Sequence, residues 1–257
     1  MDVKLVARTL DVFELFAAEQ RPLSLTELAR LLDAPVSSCL ALARTLVNRG
    51  YLYEVRKRGG YYPTRRLQLV AAQIDAVDPI VEMVHPQLVE LRDATGETAV
   101  LGKIHGTAVV YLDVVESAKA IRYTRQPGDL RPLHANSIGK AIFGELSEKE
   151  QQALGSQLSF EVYTESTVQN LSALVVQAAL AKERGWSLNL AESAAELSAV
   201  AVALKIGDEL YGLSVVGPTE RIRRDLEGHA KALKGVKQRL LSVEIGAGDV
   251  READVGS

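Results

Sequence analysis

Three short amphipathic segments lead into an aromatic-rich turn with a basic tip, and past Pro79 the hydrophobic pattern changes from helical spacing to alternation. Strands then group on both sides of a helical middle. Together these predict an α+β chain of two domains. The expected parts are a winged helix-turn-helix domain over residues 1–64, a linker helix over 65–78, an antiparallel-sheet domain over 79–245 and a polar, frayed tail over 246–257. With 257 residues, 47% of them hydrophobic, the chain can bury two cores of ordinary size.

Taking the elements in order, Val6, Leu10, Phe13 and Ala17 recur at helical spacing and predict a first helix over about 3–18, broken by "EQRP". Ser24 stands three residues before Glu27, a capping box that satisfies exposed amides at the start of a helix over 25–32, with Leu28, Leu31 and Leu32 inward. After "DAP", a third helix places Cys39, Leu42, Leu46 and Val47 on one stripe and Ser37, Ser38, Ala41, Arg44, Thr45 and Asn48 on the other. Arg49 and Gly50 close it with a dipole-compatible cation and a left-handed cap. "YLYEV" and "GYYPT" flank "RKRG" and read as a hairpin tipped by Arg56, Lys57 and Arg58. In such a unit the third helix enters the major groove while the hairpin reaches along the backbone.

A linker helix from "TRRLQLVAAQIDAVDP" is followed by a long helix over 79–95, with Val81, Val84, Leu88 and Leu91 inward and a kink expected at Pro86, which lacks an amide donor. "ETAVLGKI", "AVVYLDVV" and "AIRYTR" then read as consecutive strands. Helices are expected over about 138–146 and 170–184, strands in "WSLNLA", "LSAVAVAL" and "ELYGLSVVG", and a last helix over 221–241. No internal repeat or low-complexity segment is present.

The formal charge of -3 conceals an asymmetry. Residues 1–70 hold 11 Lys and Arg against 7 Asp and Glu, a balance of +4, so the remaining 19 basic and 26 acidic residues carry -7. A basic head on an acidic body suits a polyanion such as double-stranded DNA. A single cysteine, Cys39, excludes an internal disulfide framework and fits the cytoplasm; it reads as a small core residue. The charged N-terminus has no leader pattern, and no apolar run approaches membrane-spanning length, so no membrane partner is expected. The four histidines, at 85, 105, 134 and 229, are scattered, and no metal-binding His pair, phosphate-binding loop, dinucleotide fingerprint or nucleophile elbow occurs. Neither an enzyme nor a cofactor is therefore expected.

Affinity for DNA comes mainly from cations on phosphates, whereas sequence is read at base edges. The expected anchors are Arg44, Arg56, Lys57, Arg58, Arg65 and Arg66, while Ser37, Ser38, Leu40 and Ala41 offer hydroxyl and methyl groups to the groove, helped by Ser24 and Thr26 from the preceding helix. Ser37 and Ser38 have an alternative role as helix caps. The third helix carries only two basic residues, Arg44 and Arg49, which motivates a second reading: a ligand-binding or protein-interaction module whose helix-turn-helix no longer binds DNA.

"RPLSLTELARLL", "RTLVNRGYL", "ATGETAVLG", "VVYLDVVES", "RPLHANSIGKAIF", "ERGW" and "LSVVGP" occur in the order found in the IclR family of bacterial transcription regulators, which the chain resembles nearly end to end. The resemblance implies a GAF-like effector and oligomerisation domain after the linker, a homodimer or homotetramer on palindromic operators, and a small organic or aromatic acid as ligand. The chain departs from the family pattern at Pro35–Val36–Ser37–Ser38–Cys39–Leu40–Ala41, where polar or basic residues are usual, and at Asn189, where an acidic residue is. Of the acidic residues in that second motif, Glu192 is the one that matches.

The loop "RPLHANSIGKA" ends at a helix start, so amides near Asn136, Ser137 and Ile138 are expected to point at a carboxylate. By resemblance, Asn189, Ala199, Ser214 and Val216 form the opposite wall and Tyr123, on the preceding strand, the side wall. His134 is expected to orient the loop. The amide of Asn189 and the ring of Tyr123 favour an aromatic or larger amphipathic acid over a two-carbon acid.

Overall fold

The computed structural model describes residues 3–56, 59–75 and 78–253, and the chain divides into two compact units, Met1–Asp78 and Pro79–Ser257. In the first unit α1 (Lys4–Glu19), α2 (Leu25–Leu31) and α3 (Val36–Asn48) precede a hairpin of β1 (Leu52–Arg56) and β2 (Gly60–Pro63), and α4 (Arg66–Asp75) leads out. The capping box forms as expected: the Ser24 hydroxyl accepts from the Glu27 amide, while the Glu27 carboxylate accepts from the Ser24 amide. Leu23 pairs with Tyr61, each amide donating to the other's carbonyl at 3.1 and 2.8 Å, which stitches the connection before α2 to the hairpin. Gly60 makes that approach possible. Its φ is +100°, and a Cβ there would lie 2.6 Å from the Leu23 carbonyl oxygen.

The core of this unit contains Val12, Phe16, Leu23, Leu28, Leu42, Leu46 and Leu52. This corrects the stripe read on α1. Val6 and Leu10 are 58% and 59% exposed, Ala17 is exposed and Phe13 half-buried, whereas Val12 and Phe16 are buried. Two apolar rows run along α1, both at helical spacing, and periodicity alone could not decide which one meets α2 and α3.

The second unit begins with α5 (Pro79–Thr95), a continuous helix through Pro86 that buries Val84, Leu88 and Leu91; Val81 is half-buried. β3 (Thr98–His105), β4 (Ala108–Val115) and β5 (Leu130–Pro132) follow, then a 3-10 turn over Leu133–Ala135, α6 (Ser137–Glu145), α7 (Glu148–Gly155) and α8 (Leu171–Arg184). β6 (Ser187–Leu190), β7 (Leu197–Ile206) and β8 (Glu209–Pro218) complete an antiparallel six-stranded sheet in the order β5-β4-β3-β8-β7-β6, and α9 (Thr219–Arg224) leads to α10 (Leu226–Ala253).

Three differences from the sequence reading matter. "AIRYTR" is not a strand; the strand beside β4 is β5, while the Tyr123 carbonyl accepts a 2.8 Å bond from the Thr98 hydroxyl, so a side chain takes the place of a ladder. The short helix α7 has no long apolar period to betray it, and the helix expected over 221–241 is divided at Asp225 between α9 and α10. The last helix continues to Ala253, since no proline stops it at 241, so most of the tail read as frayed is helical.

β7 explains the layering. Val200, Val202 and Leu204 face α10 in the core that also contains α5, while Ala199, Ala201 and Ala203 meet α6 on the other face. Small residues let α6 lie close to the sheet: a Cβ at Gly212 would stand 2.5 Å from Ile138 Cγ2. The start of α6 is thereby pressed against the strands that carry the polar residues described next.

Candidate functional site

On the first unit, α3 turns Cys39, Leu42, Ala43 and Leu46 inward, which leaves Ser37, Ser38, Ala41, Arg44, Thr45 and Asn48 exposed and Leu40 half-buried. No side chain caps α3, whose N-cap is Pro35, so the capping alternative for Ser37 and Ser38 is not realised. Arg44 and Arg65 are exposed, and among the described residues no carboxylate pairs with either. Arg66 instead lies over the Tyr51 ring, 5.4 Å from its centroid. Thr26 is exposed, but Ser24 is drawn inward: its hydroxyl donates to Glu27 at 2.7 Å, so the box uses the group expected to face DNA. Lys57, Arg58 and the Arg56 side chain lie outside the described residues.

In the second unit a small cavity of about 20 Å³ is enclosed by Tyr111, Tyr123, Arg131, Asn136, Ser137 and Asn189, with Ala199, Val216 and Ser193 nearby. The structure therefore brings together six of the eight residues expected there. Ile138 and Ser214 stand behind the wall. Ile138 packs against Gly212, and Ser214 donates to the Val200 carbonyl at 3.0 Å. Because that bond takes the Ser214 proton, the 3.1 Å contact between Ser137 and Ser214 has Ser137 as donor.

At the helix start, where a carboxylate is expected, the protein itself takes two of the amides. Asn136 Oδ1 accepts from the amides of Ile138 and Gly139 at 2.9 and 3.3 Å, an N-cap that leaves neither for a ligand. Asn189 is likewise a strut: Nδ2 donates to the Ala135 carbonyl at 2.6 Å, and Oδ1 accepts from the Glu192 amide at 3.0 Å. His134 does orient its loop, with Nε2 2.9 Å from the Glu161 carbonyl and its ring stacked with Tyr163.

What remains for a ligand follows from the direction of the hydroxyl chain. Asn136 Nδ2 donates to Tyr111 Oη at 3.1 Å, so Tyr111 can donate to Tyr123 Oη at 3.3 Å. Arg125 Nε also donates to Tyr123 Oη, at 3.3 Å. In the arrangement with Tyr111 as donor, two donors reach the Tyr123 oxygen, and Tyr123 keeps its own proton to give away. Burial raises the Tyr111 pKa, holding it a neutral phenol. Arg131 adds a cation on the cavity wall with no carboxylate partner among the described residues. The sequence reading missed both Arg131 and Tyr111. Arg131 heads the "RPLHANS" loop without any spacing signal; Tyr111 shares the inward face of β4 with Val109 and reads as core.

A family model described as the IclR helix-turn-helix domain matches residues 5–56, and one described as the bacterial transcriptional regulator IclR C-terminal domain matches 72–240. The HTH-type transcriptional regulator BhcR of Paracoccus denitrificans is 29% identical over 86% of this chain and 79% of its own. The acetate operon repressor of Salmonella typhimurium is 28% identical over 93% and 90%, and XynR of Escherichia coli 30% over 78% and 79%. Among solved structures, an IclR transcriptional regulator of Alicyclobacillus acidocaldarius superposes with a TM-score of 0.77 at 23% identity, covering 93% of this chain and 98% of that one. An IclR homologue of Microbacterium hydrocarbonoxydans, solved with 4-hydroxybenzoate, gives 0.75 at 19% identity over 93% and 99%.

Proposed function

The chain belongs to the IclR family of bacterial transcriptional regulators, and from that premise we propose that it binds a double-stranded DNA operator under the control of a small aromatic carboxylic acid, regulating a catabolic operon. The exposed outer face of α3 carries this reading: its serines and Ala41 are free for base edges, and Arg44 and Arg65 are free for phosphates. The depleted charge of α3 is no obstacle when cations beside it supply the affinity.

For the ligand, Arg131 is the group suited to the acid, in place of the amides that Asn136 occupies, and the Tyr123 hydroxyl supplies a second donor. The rings of Tyr111 and Tyr123 suit an aromatic body. The relative solved with 4-hydroxybenzoate is consistent with that class. At about 20 Å³ the cavity must open to admit such a molecule, so binding is coupled to movement of its walls. The protein works as a binding regulator without catalysis, in the cytoplasm, as a homodimer or homotetramer. Exposed Val6 and Leu10 on α1, with Leu67 and Leu69 on α4, supply apolar surface for a second copy.

Gel retardation of the gene's own upstream DNA tests the reading. The protein should retard it at low salt, weaken steeply as salt rises, and respond to 4-hydroxybenzoate or a related aromatic acid. Light scattering should give a multiple of 27.9 kDa. Failure to retain any neighbouring DNA segment at low salt would overturn the regulator reading in favour of a module that has lost DNA affinity.

A further inference from the structure

A second cavity, of about 340 Å³, lies beside α8 and β6 and is lined by Lys140, Gln177, Leu180, Arg184, Leu188 and Glu192 among others. None of its lining residues lines the tyrosine cavity. Its volume falls within the roughly 300–1,000 Å³ of ordinary small-molecule sites. Its floor is unusual. Lys140 and Glu192 form an ion pair at 2.5 Å, with side chains only 1% and 5% exposed. Burial lowers the Lys140 pKa against the pull of Glu192.

A buried ion pair is stable only when its remaining donors and acceptors are satisfied. Here they are not. Glu192 Oε2 has no hydrogen-bond partner among the described residues, although Oε1 takes the lysine. Lys140 donates to Glu192 and, at 2.8 Å, to Gln177 Oε1, which leaves one ammonium N–H without an acceptor among the described residues. At the rim, Arg184 uses Nε on the Trp186 carbonyl and stacks over the Trp186 ring at 4.0 Å; among the described residues its terminal nitrogens make no hydrogen bond, and Glu227 is the carboxylate whose charge acts on it. Leu180, Leu188 and Leu190 form apolar walls, and Leu180 is 52% exposed.

An unpaired carboxylate oxygen beside unpaired cationic donors asks for a ligand that carries both charges a few atoms apart. We propose that this cavity binds an aliphatic α-amino acid, its ammonium on Glu192 Oε2, its carboxylate on Lys140 and Arg184, and its side chain along the three leucines. Reaching Oε2 takes a turn of the carboxylate about its terminal torsion, which is soft. A neutral or singly charged molecule leaves one set of groups unmatched. The site is also wired to the tyrosine cavity: Lys140 lies one turn along α6 from Ser137, the Ser187 hydroxyl donates to the Ser137 carbonyl, and the Glu192 amide donates to Asn189.

Trp186 is the only tryptophan of the chain, and Arg184 joins it to the cavity, so its fluorescence reports on this site. The full-length protein should show a saturable change in Trp186 emission on titration with L-leucine. 4-Methylpentanoate, which lacks the ammonium, and isoamylamine, which lacks the carboxylate, should each bind at least tenfold more weakly. Lys140→Met should abolish the response but can also unfold the domain. Leu180→Glu, at an exposed position, places a negative charge at the mouth without touching the buried pair and should weaken leucine at least tenfold while circular dichroism stays unchanged. The proposal is overturned by any of three results: no saturable response, equal binding of leucine and 4-methylpentanoate, or leucine affinity that Leu180→Glu leaves unaltered.

Discussion

At the scale of single residues, the second unit shows how position and role separate. The sequence reading found the neighbourhood of the cavity, since Tyr123, Asn136, Ser137, Asn189, Ala199 and Val216 all line it. What the geometry adds is which of their polar groups are already bonded within the protein. A helix start with Asn at the N-cap can either present its amides to a ligand or satisfy them itself, and nothing in "HANSIGK" distinguishes these; here the side chain of Asn136 turns back on its own helix. The proposed function gives the acid-binding task to Arg131, an arginine that only the fold brings to the cavity wall. A charge-assisted hydrogen bond contributes roughly 1.5–3 kcal/mol. Arg131→Ala should therefore weaken an aromatic acid by roughly ten- to a hundredfold, at about 1.4 kcal/mol per decade. DNA affinity of the ligand-free protein should be unchanged. Isothermal titration and gel retardation on the same variant check both; an unaltered acid affinity would return the carboxylate to some other group.

At the scale of elements, what the sequence displayed well were those whose chemistry is local. The capping box of α2, the turn closing α3 and the strands of strict alternation depend on residues a few positions apart. The false strand "AIRYTR" and the wrong stripe on α1 depended on what packs against them, which local patterning does not encode. The capping box gives a pH prediction. Its Ser24 hydroxyl and amide, then Arg21, lower the Glu27 pKa from 4.5 to about 2. A depressed carboxylate adds stability that is fully present above its unfolded value and lost as pH falls through the folded one. Wild type should thus lose head stability between about pH 4.5 and 2 more steeply than Glu27→Gln, as followed by amide exchange in α2; superimposable profiles would deny the box this role. The hairpin gives another. Gly60→Ala forces a Cβ onto the Leu23 carbonyl at a φ disfavoured for alanine, a strain of about 1–3 kcal/mol. The Tyr61 amide, bonded to Leu23, should then exchange faster, and protection equal to wild type would show that the stitch is dispensable.

At the scale of the whole molecule, the two units keep separate cores, and the charge is divided between them in the sense the sequence indicates, +2 over residues 1–78 (11 Lys and Arg against 9 Asp and Glu) and -5 over 79–257 (19 against 24). The consequence concerns how DNA is held. The outer face of α3 carries one cation, Arg44, among uncharged side chains, so the salt dependence of binding must come from Arg44 and from cations beyond the helix rather than from the serines and Ala41. Each phosphate contact adds about 0.9 to the slope of log affinity against log salt. Arg44→Ala and Arg65→Ala should each lower the magnitude of that slope by about 1 and weaken all DNA sequences alike, because both side chains are exposed and, among the described residues, no carboxylate holds them. Ser37→Ala and Ser38→Ala remove no charge, so they should leave the slope intact while narrowing the gap between operator and random DNA. Measuring affinity for both sequences across a salt series separates these outcomes in one experiment. If the serine variants change the slope, or if the arginine variants change only the operator, then reading and holding are not divided between these residues, and the neutral face of α3 needs another explanation.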